Sequence, residues 1–366
     1  FIMNLNRIFH LNFFLIFIIS LLALIGIVAL YSAADGSYYP WAIKHTIRFI
    51  VFFFLMIFIA IIDIKYIFKY AYIFFFLSLL LLLSVEIIGI FGKGAERWVK
   101  IFGINIQPSE IIKISIILCL ARYYHSIKFI NIGYLHNLIF PIFIIGIPFS
   151  LVVIQPDLGT SLSILFLGTV IMFISGVRIW KFVLGIFAFL FSIPFLWNFI
   201  KPYQQKRILS FLNPESDPLG QGYQLIQSKI ALGSGGISGK GFLEGTQSYL
   251  EYLPEKQTDF IFTLIGEEFG FLGSIFILLL YTLIIIFCFY TSIKSAHIFG
   301  RILSLGISTN LFLYVLLNIS MVTGLMPVVG IPLPLLSYGG TAMLSIMISF
   351  GLLLNININY DIKKLD

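Results

Sequence analysis

Residues 13–31 read FFLIFIISLLALIGIVALY, nineteen positions without a charged side chain. As a helix rising 1.5 Å per residue, such a stretch covers about 28 Å, close to the roughly 30 Å of hydrocarbon in a bilayer. It is too long for the apolar core of a signal peptide and lacks a small-x-small cleavage pattern at its end, so it reads as a retained membrane anchor. The same reading repeats along the chain. Apolar runs bounded by charges or by Gly and Pro fall at 47–62, 70–90, 108–124, 137–153, 158–175, 180–199, 260–290, 303–322 and 341–357, making about ten spans in all. Only Gln155, Pro156 and Asp157 separate the fifth from the sixth. The eighth is overlong, so its first turns are expected to stand outside the membrane.

Composition agrees. Hydrophobic residues make up 60% of the 366 and charged residues 11%, far from the ~45–50% and ~25% of globular proteins. A soluble enzyme, a disordered chain and a disulfide scaffold are excluded. A membrane barrel would need alternating apolar and polar residues, and nothing here alternates. The predicted fold is all-α: one polytopic membrane domain over 1–366 with about ten transmembrane helices.

An even number of spans puts both termini on one side. Placing them in the cytoplasm puts Arg7, Lys65, Lys69, Arg122, Lys128, Arg178, Lys181, Lys294, Arg301, Lys363 and Lys364 inside, as the excess of cations in short cytoplasmic loops requires. The net charge of +7 fits anionic lipid. Nucleic acid is excluded as a partner, because no basic tract exceeds two residues. Cys119 and Cys288 each lie in an apolar run and read as packing residues. The five histidines are scattered without ligand spacing, so no metal-binding residues are assigned.

Composition breaks at 200–259, a large extracytoplasmic loop with no stretch able to span. Its glycines cluster from Gly233 to Gly241 around Lys240. The run lacks the GxxxxGK[ST] spacing of a nucleotide cradle. Two readings stay open: glycine backbone and an ammonium wrapping a pyrophosphate, or a turn-rich loop.

Other charges lie at membrane depth. Glu110 and Lys113, three apart, share a helix face and can pair; ionisable groups there cost about 2.5–3.5 kcal/mol each on insertion scales and normally face protein or a wet cavity. They either line a functional cavity or tie helices together. Asp157 is placed to cap the sixth helix. Glu267 and Glu268 are adjacent, so they point to different faces, and at least one must meet protein or water. Pro327, Pro332 and Pro334 with Gly330, Gly339 and Gly340 cannot continue a helix, so this segment is expected to be re-entrant or packed on the large loop. Asp259 sits where that loop re-enters the membrane, either as a partly desolvated general base or as the cap of the following helix.

Separated motifs carry a resemblance: Asn213–Gly220 (NPESDPLG), Gly222–Lys229 (GYQLIQSK), Leu253–Phe262 (LPEKQTDFIF), Gly94–Trp98 (GAERW), Gln107–Lys113 (QPSEIIK), Gln155–Thr160 (QPDLGT) and Pro327–Gly340 (PVVGIPLPLLSYGG). Together they span nearly the whole chain, which resembles the SEDS family; the glycine run and IQSK favour its rod-shape branch over its division branch. The resemblance implies a ten-helix peptidoglycan glycosyltransferase of lateral cell-wall elongation that polymerises lipid II in the bacterial inner membrane, its site on the outer face. It implies Asp259 as the catalytic base for attack of a sugar 4-hydroxyl on an anomeric carbon, with inversion and departure of undecaprenyl diphosphate. Arg97, Glu110, Lys113, Arg207 and Lys240 are then the substrate-binding candidates. A divalent cation, Mg or Mn, is a possible cofactor at the pyrophosphate. Implied partners are a class B penicillin-binding transpeptidase and other membrane proteins of the elongation complex. A lipid flippase and a non-enzymatic scaffold would suit the same bundle, since function resides in the site.

Overall fold

A computed structural model of the protein describes residues 5–92, 95–101, 104–197, 205, 209–213, 221–249, 252–253 and 255–362. Among the described residues, ten long helices overlap the apolar runs: α1 (Phe13–Ala33), α2 (Trp41–Ile61), α3 (Ile64–Ile88), α4 (Pro108–Ser126), α5 (Leu135–Ile154), α6 (Leu158–Ile174), α7 (Ile179–Trp197), α10 (Ile261–Lys294), α11 (Ile298–Val322) and α12 (Gly340–Ile358). Between α7 and α10 lie α8 (Gln221–Ser234) and the single turn α9 (Thr246–Tyr249). Seven helices, α1, α2, α3, α5, α10, α11 and α12, are long and apolar enough to cross a membrane by themselves; α6 and α7 are shorter apolar helices. The chain is a multi-pass membrane protein.

Burial sorts the helices. α4, α11 and α12 form the centre, with Ile112, Ile117, Leu311, Phe350 and Leu353 fully enclosed. α7 turns Ile186, Phe187, Leu190 and Phe191 outward, the face a lipid-exposed helix presents. α2 packs along α12, α3 along α4 and α11 along α10.

Between α3 and α4 the chain forms a small antiparallel sheet, β1 (Ile90–Gly92), β2 (Ala95–Ile101) and β3 (Ile104–Ile106), in the order β1-β2-β3. Hydropathy gave no sign of these strands. They pack on α3, α4 and α12, and Gln107 N beyond β3 donates to Thr341 Oγ1 at 3.1 Å, pinning the start of α4 to the start of α12.

The overlong eighth run is two helices in one. Gly270 has φ 64° and ψ −158°, which breaks α10 nine residues in. The helical bonds from the amides of Phe271 and Leu272 are replaced from the large loop. Phe271 N donates to Gly236 O at 2.9 Å and Leu272 N to Ile237 O at 3.1 Å, while Lys240 N and Gly241 N donate to the carbonyls of Glu267 and Glu268 at 3.0 Å each. The glycine run is therefore spliced into the broken ladder. Gly239, at φ +83°, lies so close to the Glu268 carbonyl that a Cβ would overlap it.

Candidate active site

Asp259 is half-buried, one residue before Phe260, the N-cap of α10. Phe260 itself makes no side-chain capping bond. The backbone around Asp259 is held from α11 and from the segment between α11 and α12. Asn318 Nδ2 donates to the carbonyls of Asp259 (2.9 Å) and Ile331 (2.8 Å). Ser337 Oγ donates to Thr258 O at 2.5 Å, and Tyr338 N to Gln257 O at 2.9 Å. The Pro/Gly-rich 323–339 segment thus packs on the end of the large loop, as its composition predicts. Buried carbonyls so satisfied hold the chain in one arrangement. Gly330, at φ +78°, faces the carboxylate: a Cβ there would stand 3.3 Å from Asp259 Oδ2. Only glycine meets both demands without strain.

Two supports steady the far side of this segment. His45 Nε2 bonds the Leu335 carbonyl at 3.0 Å, and the Tyr281 hydroxyl donates to Pro334 O. The Arg48 guanidinium lies over the Tyr338 ring, 4.8 Å from its centroid, and against Gly340. Lys229, exposed on α8, lies over Gly324. Lys256 pairs with Asp35 at 3.1 Å and is almost fully enclosed. Arg48 and Lys229 thus border the 323–340 segment, and Lys256 lies three residues before Asp259 in the chain.

The predicted pair is present and has a third member. Lys113 Nζ lies 2.9 Å from Glu110 Oε1 and donates to the Tyr314 hydroxyl at 2.6 Å, and that hydroxyl bonds Glu110 Oε2. All three are buried, so α4 is clamped to α11 by a neutralised polar cluster.

Arg97 and Lys240 each hold a carboxylate. Arg97 Nη2 donates to Pro156 O at 2.6 Å, and its Nε lies 3.6 Å from Asp157 Oδ2; Asp157 caps α6 at Thr160 N, as its position suggested. Lys240 Nζ meets Glu267 Oε1 at 2.7 Å, an oxygen that also accepts from Gln247 N. Glu267 and Glu268 are both enclosed by protein, with Glu268 Oε1 accepting from Ser32. Arg207 lies outside the described residues. Arg48, Asn318 and Tyr314 were not singled out from sequence, and Lys229 entered only as the last residue of the GYQLIQSK motif. Tyr314 and Asn318 carried a signal too, as polar groups spaced i, i+4 in an apolar span.

Among the described residues no three His, Cys, Asp or Glu side chains converge.

A family model covering FtsW, RodA and SpoVE, described as cell cycle protein, matches residues 6–361. The peptidoglycan glycosyltransferase MrdB of Escherichia coli K12 is 44% identical over 284 residues, 75% of this chain and 74% of that protein. A chain from a structure titled "Structural coordination of polymerization and crosslinking by a peptidoglycan synthase complex" superposes with a TM-score of 0.82 at 30% identity, covering 96% of this chain and 98% of that one. The rod shape determining protein RodA of Thermus thermophilus gives 0.72 at 24% identity, with 96% and 98% covered, and supports the fold alone.

Proposed function

The chain belongs to the FtsW/RodA/SpoVE family, and from that premise we propose that it is a peptidoglycan glycosyltransferase that polymerises lipid II during lateral wall elongation. The observation that carries the reading is Asp259: a half-buried carboxylate whose own backbone is fixed by Asn318 and whose flank is kept open by Gly330.

The chemistry needs one base. Asp259 takes the proton of the acceptor's sugar 4-hydroxyl as its oxygen forms a bond to the donor's anomeric carbon. The bond from that carbon to the pyrophosphate oxygen breaks, undecaprenyl diphosphate leaves and the configuration inverts. A positioned base of this kind contributes roughly 10²–10⁴-fold. Negative charge develops on the leaving oxygens, and fixed cations at that point stabilise the transition state. We assign this to Arg48 and Lys229, whose side chains border the 323–340 segment. Arg97, Lys113 and Lys240, each already holding a carboxylate, act as positioning residues in the walls.

The catalytic junction faces outward and both termini lie in the cytoplasm, the orientation favoured by the cations of the short loops. The partner is a class B penicillin-binding transpeptidase, which the family's pairing of polymerisation with crosslinking supports.

The test is incubation of the purified protein and its transpeptidase with lipid II, with products resolved on a gel. Wild type is compared with Asp259→Ala at matched folded yield. Glycan chains from wild type alone are expected. Chains from both would discard Asp259 as base, and chains from neither would redirect attention to a lipid-flipping assay.

A further inference from the structure

At the end of the bundle opposite Asp259 lies a cavity of about 520 Å³, within the ~300–1,000 Å³ range of small-molecule sites. Its wall is assembled from the C-terminal ends of α4, α6 and α10 and the first turns of α11. Ile127, Ile132, Ile174 and Ile302 make most of it apolar. Two polar features stand out. Tyr124 lines the cavity with 1% of its surface exposed, and its hydroxyl is buried without a hydrogen-bond partner. A buried donor left unmatched is uncommon and calls for a partner. Arg301, also in the lining, donates from Nε to Ser295 O at 2.8 Å, which orients the guanidinium while the rest of the side chain stays exposed.

The segments that build the rim are one-sided in charge. Residues 122–135, 174–182 and 290–305 contain Arg122, Lys128, Arg178, Lys181, Lys294 and Arg301 and not one Asp or Glu. Topology alone accounts for cations at this end. It does not account for an apolar chamber opening among them with an unmatched hydroxyl in its wall.

We propose that this cavity is a binding site for one anionic glycerophospholipid of the cytoplasmic leaflet, its phosphate held by Arg301 and the Tyr124 hydroxyl and its upper acyl chain laid along the isoleucines. Apolar surface without a head-group anchor would take any lipid; a cation beside a neutral donor selects a phosphodiester without a compensating ammonium. The orientation of the chain is the one argued above, but the site is independent of the catalytic chemistry.

The experiment is native mass spectrometry of the full-length protein released from nanodiscs of dioleoyl phosphatidylglycerol or dioleoyl phosphatidylcholine, with wild type, Tyr124→Phe, Arg301→Gln and Leu305→Trp compared. Leu305 also lines the cavity, so the tryptophan fills it without changing charge. Wild type should retain one more phosphatidylglycerol than each variant, with affinity about tenfold or more lower in the two polar variants, and no such difference with phosphatidylcholine. Equal retention of phosphatidylglycerol by wild type and the folded Leu305→Trp protein overturns the site. A thermal-shift titration with inorganic phosphate separates the sources: stabilisation of wild type equal to that from phosphatidylglycerol, and lost in Arg301→Gln, would make it a free-anion site and overturn the lipid assignment.

Discussion

Tyr314 and Asn318 stand one helical turn apart on the same face of α11. Asn318 holds the backbone of Asp259, and Tyr314 bonds both members of the buried Glu110–Lys113 pair. Four residues at 1.5 Å rise put the two attachments about 6 Å apart along the axis. One face of a single helix therefore joins the membrane-depth charges to the carboxylate at the loop junction.

Asn318→Ala removes donors from the carbonyls of Asp259 and Ile331. A stability loss of about 1–3 kcal/mol is expected for leaving these groups unmatched. Glycan synthesis should fall about tenfold or more, because a displaced reactive group is penalised steeply. Thermal unfolding and the lipid II gel read the two effects separately; wild-type polymerisation in this variant would remove Asn318 as the group that positions Asp259.

Lys113→Ala strands the Glu110 carboxylate in the core. Breaking a buried pair on one side costs about 3–5 kcal/mol, so folded yield and activity should both drop. Replacing both members, Glu110→Leu with Lys113→Met, should recover folded yield. If polymerisation recovers as well, the pair only ties α4 to α11; if it does not, the charges serve the site.

Lys240→Met removes the paired cation from the buried Glu267, which keeps Gln247 N and Thr246 among its partners. Destabilisation of about 2–4 kcal/mol is expected, and Glu267→Gln in the same chain should restore most of it. The lipid II concentration at half-maximal rate should be unchanged in the folded double variant. A large rise would mean instead that Lys240 meets the pyrophosphate.

His297, in the link before α11, accepts from Gly300 N at 2.7 Å, and burial lowers its pKa to about 4 from the usual 6.5. The unfolded chain then binds a proton more readily than the folded one. Stability should be fully present above about pH 6.5 and decline as pH falls toward 4. His297→Asn keeps a capping side chain and should flatten that part of the profile in thermal unfolding between pH 7 and 4. An unchanged slope would assign the acid sensitivity to other groups.

Hydropathy placed the helices because lipid-spanning segments must be both long and apolar, and local spacing found Glu110 with Lys113 and the Asp157 cap. What sequence could not reach was set by contacts across the chain. Tyr314 is some two hundred residues from Lys113. Arg97 and Lys240 looked available for phosphate because their carboxylates, Asp157 and Glu267, come from other elements. Strands β1 and β3 are too short for period-two patterning to register, and the seven residues of β2, AERWVKI, do not alternate cleanly. The overlong run and the adjacent Glu267 and Glu268 hinted that its first turns differ, but the break at Gly270 itself was not legible because the backbone that completes it, residues 236–241, comes from the large loop.

That break also bears on assembly. Residues 271–294 can enter the bilayer as an ordinary span, but the turns before them have carbonyls that only residues 236–241 complete. Residues 236–241 precede α10 in the chain, so these bonds join a segment to one about thirty residues further on. The first turns of α10 and the glycine run are thus one unit of hydrogen bonding, each completing the backbone of the other.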